Sequence, residues 1–321
     1  IRARRNQLLV PNDPVYLAAR ATCAVSPTDA EARLKEVETR AQAFLEADSR
    51  LGWAALQLGR SLLWQGHPRK ALAHLEKAAE LMPTSAEPAH FIGRANLGLK
   101  NTNVALDAFR RALTLDPRDL ESMYWLGYTL VADGRAEDLS ANRRASTVRE
   151  ARKFLEQVAA AQPKRAEVHY ALGLASLAAG EHAVARQQLE RALSLEAASA
   201  DWHYHYARTL VALEDFGPAI AAAREAVSRT PQHRPARLLL GRELLRARQW
   251  TEAEANYRTL LSADAADAEA TIGLGQTLFE QGRHANAVEC LHSVAEPTRD
   301  SLYYLGRALA MLDDFQQSRT V

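Results

Sequence analysis

Residues 201–206 read Asp-Trp-His-Tyr-His-Tyr. Two imidazoles, two phenols, an indole and a carboxylate in six positions are groups that a metal site or an acid–base centre would use. Their spacing argues otherwise. Residues two apart on a helix point ~200° apart at 3.6 residues per turn, so His203 and His205 cannot ligate one ion from a single helix. Cys290 and His292 fail as a nucleophile–base pair for the same reason. Gly273-Leu274-Gly275 opens like a dinucleotide-binding loop, but no strand precedes it and the third glycine is missing. There is no Walker A sequence. Cys23 and Cys290 belong to no C-x-x-C pair, so neither a zinc module nor a disulfide framework is implied. The expectation is a chain that is not an enzyme, with no catalytic, cofactor-binding or metal residues.

A chain of 321 residues can bury a large core, in one extended domain or two compact ones. Hydrophobic residues at 47% and charged ones at 25% mark a folded rather than a disordered sequence. The formal net charge of +1 offers no general attraction for nucleic acid or an anionic membrane, and nucleic acid is not the expected partner. No apolar run approaches the ~20 residues of a membrane helix, and Arg2, Arg4 and Arg5 precede no stretch apolar enough for a signal sequence. The chain begins with isoleucine, so it is expected to be processed or part of something longer.

What positions these side chains is a period. Residues 55–83 contain Leu58-Gly59, Gly66, Ala71, Leu75, Ala78 and Pro83, and the pattern returns. The small residue recurs at Gly93, Gly127, Gly173, Ala207, Gly241, Gly275 and Gly306. The alanine twelve residues on recurs at Ala105, Ala185, Ala219, Ala253 and Ala287, with Ala151 displaced, and a closing proline at Pro117, Pro163 and Pro231. The interval is ~34 residues, lengthened by about twelve between Gly127 and Gly173 and shortened by about three between Gly275 and Gly306.

Each unit reads as two amphipathic helices joined by a short turn, often through glycine, as at Gly66, Gly134, Gly180 and Gly282. A glycine inside a helix costs about 1 kcal/mol relative to alanine. Its return at seven of eight equivalent sites therefore predicts a close contact, with the alanine of the partner helix as the expected neighbour. Proline ends the second helix.

This pattern over residues 52–321 resembles the tetratricopeptide repeat family. The resemblance implies an all-α, right-handed solenoid of about seven and a half helix-turn-helix repeats, with a charged insertion near 135–146 holding Arg143, Arg144 and a solvated "RRAS" loop. Residues 1–51 are expected to form a helical N-terminal cap, with a degenerate repeat as the alternative. Ser26-Pro27 would start its main helix, after a shorter one near residues 13–24. At the far end, residues 301–321 supply only the start of a final pair, leaving an apolar face that the parent chain is expected to cover by continuing.

In this family the first helices line a concave surface. By resemblance, the fifth repeat position carries Leu56, His90, Tyr124, Tyr170, Tyr204, Leu238, Ile272 and Tyr303. The ninth carries Arg60, Arg94, Tyr128, Leu174, Arg208, Arg242, Gln276 and Arg307. Residues four apart share a helix face, so the resemblance implies a tyrosine- and arginine-rich ladder. Arg60, Arg94, Tyr124, Tyr128, Tyr170, Tyr204, Arg208, Arg242, Tyr303 and Arg307 are the expected contacts for a protein or peptide partner, both residue types being enriched in binding hot spots. Acids at the second position, Glu87, Glu121, Glu167, Asp201, Glu269 and Asp300, could instead neutralise the arginines internally. The lysine and asparagine of the family's two-carboxylate clamp are absent at these positions, as is the asparagine ladder of its sugar-transferring members. The implied function is a protein–protein interaction scaffold. The alternatives are the recruitment region of a larger enzyme or of a bacterial polysaccharide-secretion apparatus, and an RNA-binding array that near-neutral charge disfavours.

Overall fold

The computed structural model describes residues 27–134, 140–196 and 199–319. The expected helix near 13–24, Ser26 and Cys23 lie outside them. Every regular element among the described residues is an α-helix. The chain divides into two compact units, Ile1–Pro163 and Lys164–Val321.

In the first unit, α1 (Pro27–Ala47) precedes three helix pairs. These are α2 (Gly52–Trp64) with α3 (Pro68–Leu81), α4 (Ala86–Gly98) with α5 (Thr102–Leu115), and α6 (Leu120–Gly134) with α7 (Ala141–Ala161). The second unit holds α8 (Ala166–Ala178) with α9 (His182–Leu195), α10 (Ala200–Ala212) with α11 (Phe216–Arg229), and α12 (Arg234–Arg246) with α13 (Trp250–Ala263). It closes with α14 (Ala268–Glu280), α15 (His284–His292) and α16 (Arg299–Arg319). Within each unit, consecutive helices pack and the first helices of neighbouring repeats touch.

All the recurring glycines but Gly306, where an added Cβ would meet nothing within 4 Å, are where the paired helices meet, but the neighbour differs from expectation. A Cβ at Gly59 would lie 2.6 Å from the side chain of Leu75, and the carbonyl of Ala71 is farther, at 3.2 Å. The same collision would occur between Gly93 and Phe109, Gly127 and Leu155, Gly173 and Leu189, Gly241 and Tyr257, and Gly275 and Leu291. Helical side chains lean toward the N-terminus, so the residue one turn after each alanine reaches back over it and fills the glycine's space. The fifth repeat makes the rule visible by reversing it. There Ala207 replaces glycine and Ala223 replaces the large residue, and both are fully buried.

The turns inside the pairs share one backbone solution. Gly66 donates to Leu63 and His67 to Leu62, and the same two bonds recur from Lys100 and Asn101, Gly180 and Glu181, Glu214 and Asp215, Arg248 and Gln249, and Gly282 and Arg283. This closure places its central residue in the left-handed region. Glycine fits at Gly66, Gly180 and Gly282, but Lys100, Glu214 and Arg248 hold φ near +60° with side chains attached.

α1 meets α2 as α13 meets α14. Gln65 donates to Glu38 at 2.8 Å and Gln281 donates to Glu254 at 2.9 Å, each across 27 residues. Val37 and Ala41 are buried one repeat length before Ala71 and Leu75. Residues 141–146, expected to be loop, are instead the first turns of the 21-residue α7, started by Ser140 accepting from the Arg143 amide. At α16, Leu302, Tyr303, Leu309 and Met311 are exposed.

Candidate functional site

In the first unit the ladder is built into the core. Leu56, His90 and Tyr124 are buried, and Arg60 is only 6% exposed. The Arg60 guanidinium lies 4.5 Å over Phe91 of the next repeat and pairs with Glu87 at 3.4 Å. Burial pulls it down to about 10, against the opposing charge of Glu87 and reinforced by Arg94, so it stays a cation at neutral pH. Arg94 repeats the arrangement one unit on. It sits 4.5 Å over Trp125, and burial lowers its pKa while Glu121 and then Tyr124 oppose the shift. Tyr124, Trp125 and Tyr128 form a compact aromatic group with centroids 5.4 to 6.1 Å apart.

A serine, a histidine and an aspartate also converge here. His90 Nδ1 lies 2.9 Å from Ser122 Oγ, whose proton goes to Asp119. Because the hydroxyl spends its only proton on the carboxylate, His90 must donate rather than accept. A catalytic base would have to accept from the serine, so this relay joins two repeats and activates no nucleophile. Burial drives His90 down to about 4, against the opposing pull of Asp119.

In the second unit the arginines of the ladder turn outward while part of it stays buried. Tyr170 is buried, stacked on Trp202 at 4.7 Å and 10°. Tyr204 is half-buried, with His233 5.4 Å away and the Arg208 guanidinium 5.6 Å from its centroid. Leu174 and Leu238 are buried, while Ile272 and Gln276 are half-buried. Arg208, Arg242 and Arg307 are exposed. The Arg242 Nε donates to the Leu238 carbonyl at 3.3 Å. Arg307 lies 4.6 Å over Phe279 and 5.5 Å over Tyr303, itself 57% exposed.

The residues of the hexapeptide 201–206 serve separate purposes. Asp201 pairs with His233 Nε2 at 2.9 Å, while the other ring nitrogen caps α12. Trp202 stacks on Tyr170. Burial lowers the His203 pKa, the Arg229 charge adding to that and Glu225 opposing. His205 lies between Tyr170 and Tyr204, at 6.0 and 5.1 Å. Tyr206 donates to Glu190 at 2.8 Å, and burial with that bond pushes its phenol up to about 12. Among the described residues no three His, Cys, Asp or Glu side chains are grouped to hold a metal ion. The Cys290 thiol donates to the Thr271 carbonyl at 3.4 Å, and burial raises its pKa.

The second-position acids divide in the same way. Glu87 meets Arg60 and Glu121 acts on Arg94, each 27 residues later. In the second unit Glu167 lies 3.8 Å from Arg165, Asp201 takes His233, and Glu269 takes Arg234 at 3.2 Å. Arg234 also grips the buried Asp267, holding that carboxyl below its usual range. The position 27 residues after Arg208 is Pro235. Sequence reasoning missed Phe91, Trp125 and His233. An aromatic residue 31 places after Arg60 and again after Arg94 was the available signal for the first two.

A family model described as tetratricopeptide repeat matches residues 92–138, 141–201, 170–234 and 238–291, more than half of the chain. Among solved structures, that of pilF from Pseudomonas aeruginosa is 23% identical with a TM-score of 0.57, covering 68% of this chain and 93% of that one. The Cut9–Hcn1 hetero-tetramer of the APC/C aligns over 95% of this chain and 57% of that one, at 16% identity and a TM-score of 0.63. TTC0263, a tetratricopeptide protein of Thermus thermophilus, is 26% identical with a TM-score of 0.49, over 60% of this chain and 99% of that one. No curated protein matches the chain. No helix among the described residues is long and apolar enough to cross a membrane.

Proposed function

Because the chain belongs to the tetratricopeptide repeat family, we propose that it is an interaction scaffold whose second unit holds an extended peptide of a partner protein along its first helices. The observation that carries this reading is the run of Tyr204, Arg208, Arg242, Tyr303 and Arg307, on α10, α12 and α16, with its three cations exposed. Stacked Tyr170 and Trp202 give that run a rigid floor. Rigid rings beside forked cations are the residue types that dominate binding energy. Tyr124 and Tyr128 offer a smaller aromatic patch within the first unit, whereas Arg60 and Arg94 serve packing there.

The test is affinity capture with the full chain and with its Tyr204→Ala/Arg208→Ala variant, folding being checked by circular dichroism. A partner identified by mass spectrometry that wild type retains and the folded variant loses by about tenfold or more, roughly 1.4 kcal/mol, supports the assignment. Equal recovery from both removes it.

A further inference from the structure

Resting on that reading, we infer that the partner segment is acidic and that its carboxylates complete the ion pairs Arg208, Arg242 and Arg307 lack. The first unit shows what this repeat position takes. The guanidinium of Arg60 has an aromatic ring beneath it and Glu87, from the next repeat, at its edge. Arg208 has the ring, Tyr204, but Pro235 stands where the carboxylate would be. Arg242 has Glu269 at the corresponding place, and that side chain is bound to Arg234 instead. Arg307 has two rings and, among the described residues, no carboxylate partner. Among the described residues none of the three makes an ion pair, and all are exposed. Rings lie over the guanidinium groups of Arg208 and Arg307, while Arg242 spends its Nε on the Leu238 carbonyl. In all three the terminal nitrogens are left to meet a carboxylate.

Geometry sets the spacing of the acids. First helices of neighbouring repeats touch from α10 through α12 and α14 to α16. Packed helix axes lie ~8–10 Å apart, and an extended chain advances ~3.3 Å per residue. One acid at Arg208, a second about three residues on at Arg242, and a third about six residues further at Arg307 would satisfy all three. The half-buried Gln276 lies between the last two and asks for a neutral polar residue.

Fluorescence anisotropy with the full chain tests this, using a labelled peptide of about twelve residues with glutamate at every third position among alanine and serine. Its control carries glutamine in place of glutamate. The expected result is affinity for the glutamate peptide at least ~10-fold above the control. Arg208→Gln/Arg242→Gln erases that preference, Pro235→Glu weakens it several-fold by supplying the missing carboxylate internally, and Arg208→Glu/Arg242→Glu prefers a lysine peptide. No binding of the glutamate peptide overturns the inference. Equal binding of both peptides, lost in Tyr204→Ala, also overturns it while leaving the groove standing. Equal binding that survives both Tyr204→Ala and Arg208→Gln/Arg242→Gln removes the groove as well. Tighter, arginine-dependent binding of a single-stranded oligouridine than of the glutamate peptide assigns the cations to phosphate instead.

Discussion

Arg60 in the first unit and Arg208 in the second hold the same place in their repeats, one step after the small residue, yet one is enclosed and the other is open. Arg60 lies 4.5 Å over Phe91 of the following repeat, whereas the ring near Arg208 is Tyr204 of its own helix, 5.6 Å away, and Leu239 stands where Phe91 would be. The difference lies in the following repeat. Glu87 closes over Arg60, whereas Pro235 gives Arg208 nothing and Glu269 is drawn aside by Arg234. The following repeat therefore decides whether an arginine is structure or surface.

The largest expected difference comes from removing the two side chains. Arg60→Ala deletes a buried cation from its ring and counter-ion, and is expected to cost about 2–3 kcal/mol. Arg208→Ala should change stability by no more than about 0.5 kcal/mol. Urea unfolding followed by tryptophan fluorescence measures both, and equal costs would break the comparison.

Of similar size is the pH effect of His90 in the first unit, at the fifth repeat position, which carries no histidine in the second. Asp119, Glu121, Arg60 and Arg94 surround His90, and burial holds it at about 4 rather than near 6.5. Between these values the unfolded chain binds more protons than the folded one. Stability is thus fully present above about pH 6.5 and declines as pH falls toward 4, by about 3 kcal/mol from this group. His90→Gln should flatten that part of the stability–pH curve. A slope unchanged by the substitution would assign it to other groups.

The smallest expected effect treats the units alike. Lys100→Gly in the first and Glu214→Gly in the second relieve a left-handed residue in the same turn. Each is expected to raise stability by about 0.5–1 kcal/mol, read as a shift in the urea midpoint.

The helix pairs were legible because a glycine that recurs in helices leaves a mark in one dimension. What filled the space was not. Alanine recurs beside it, so alanine looked like the neighbour, but the atoms in contact belong to Leu75, Phe109 or Tyr257. Side-chain lean, which a letter string does not show, moves the contact by one turn. The ladder was legible as a set of residues sharing a face. The burial of Arg60 was not, because that depends on Phe91 and Glu87, about one repeat further along. The RRAS stretch looked like loop because it lies in an insertion and is charged, yet Ser140 caps a helix that runs through it.

Gly127 and Leu155 meet as closely as Gly173 and Leu189, with 2.7 Å from a Cβ in both cases, although 28 residues separate the first couple and 16 the second. The lock between the two rods is therefore indifferent to how much chain runs from one to the other. A repeat of this kind can thus lengthen its second rod, as the 21-residue α7 does, and keep the same bolt through the pair.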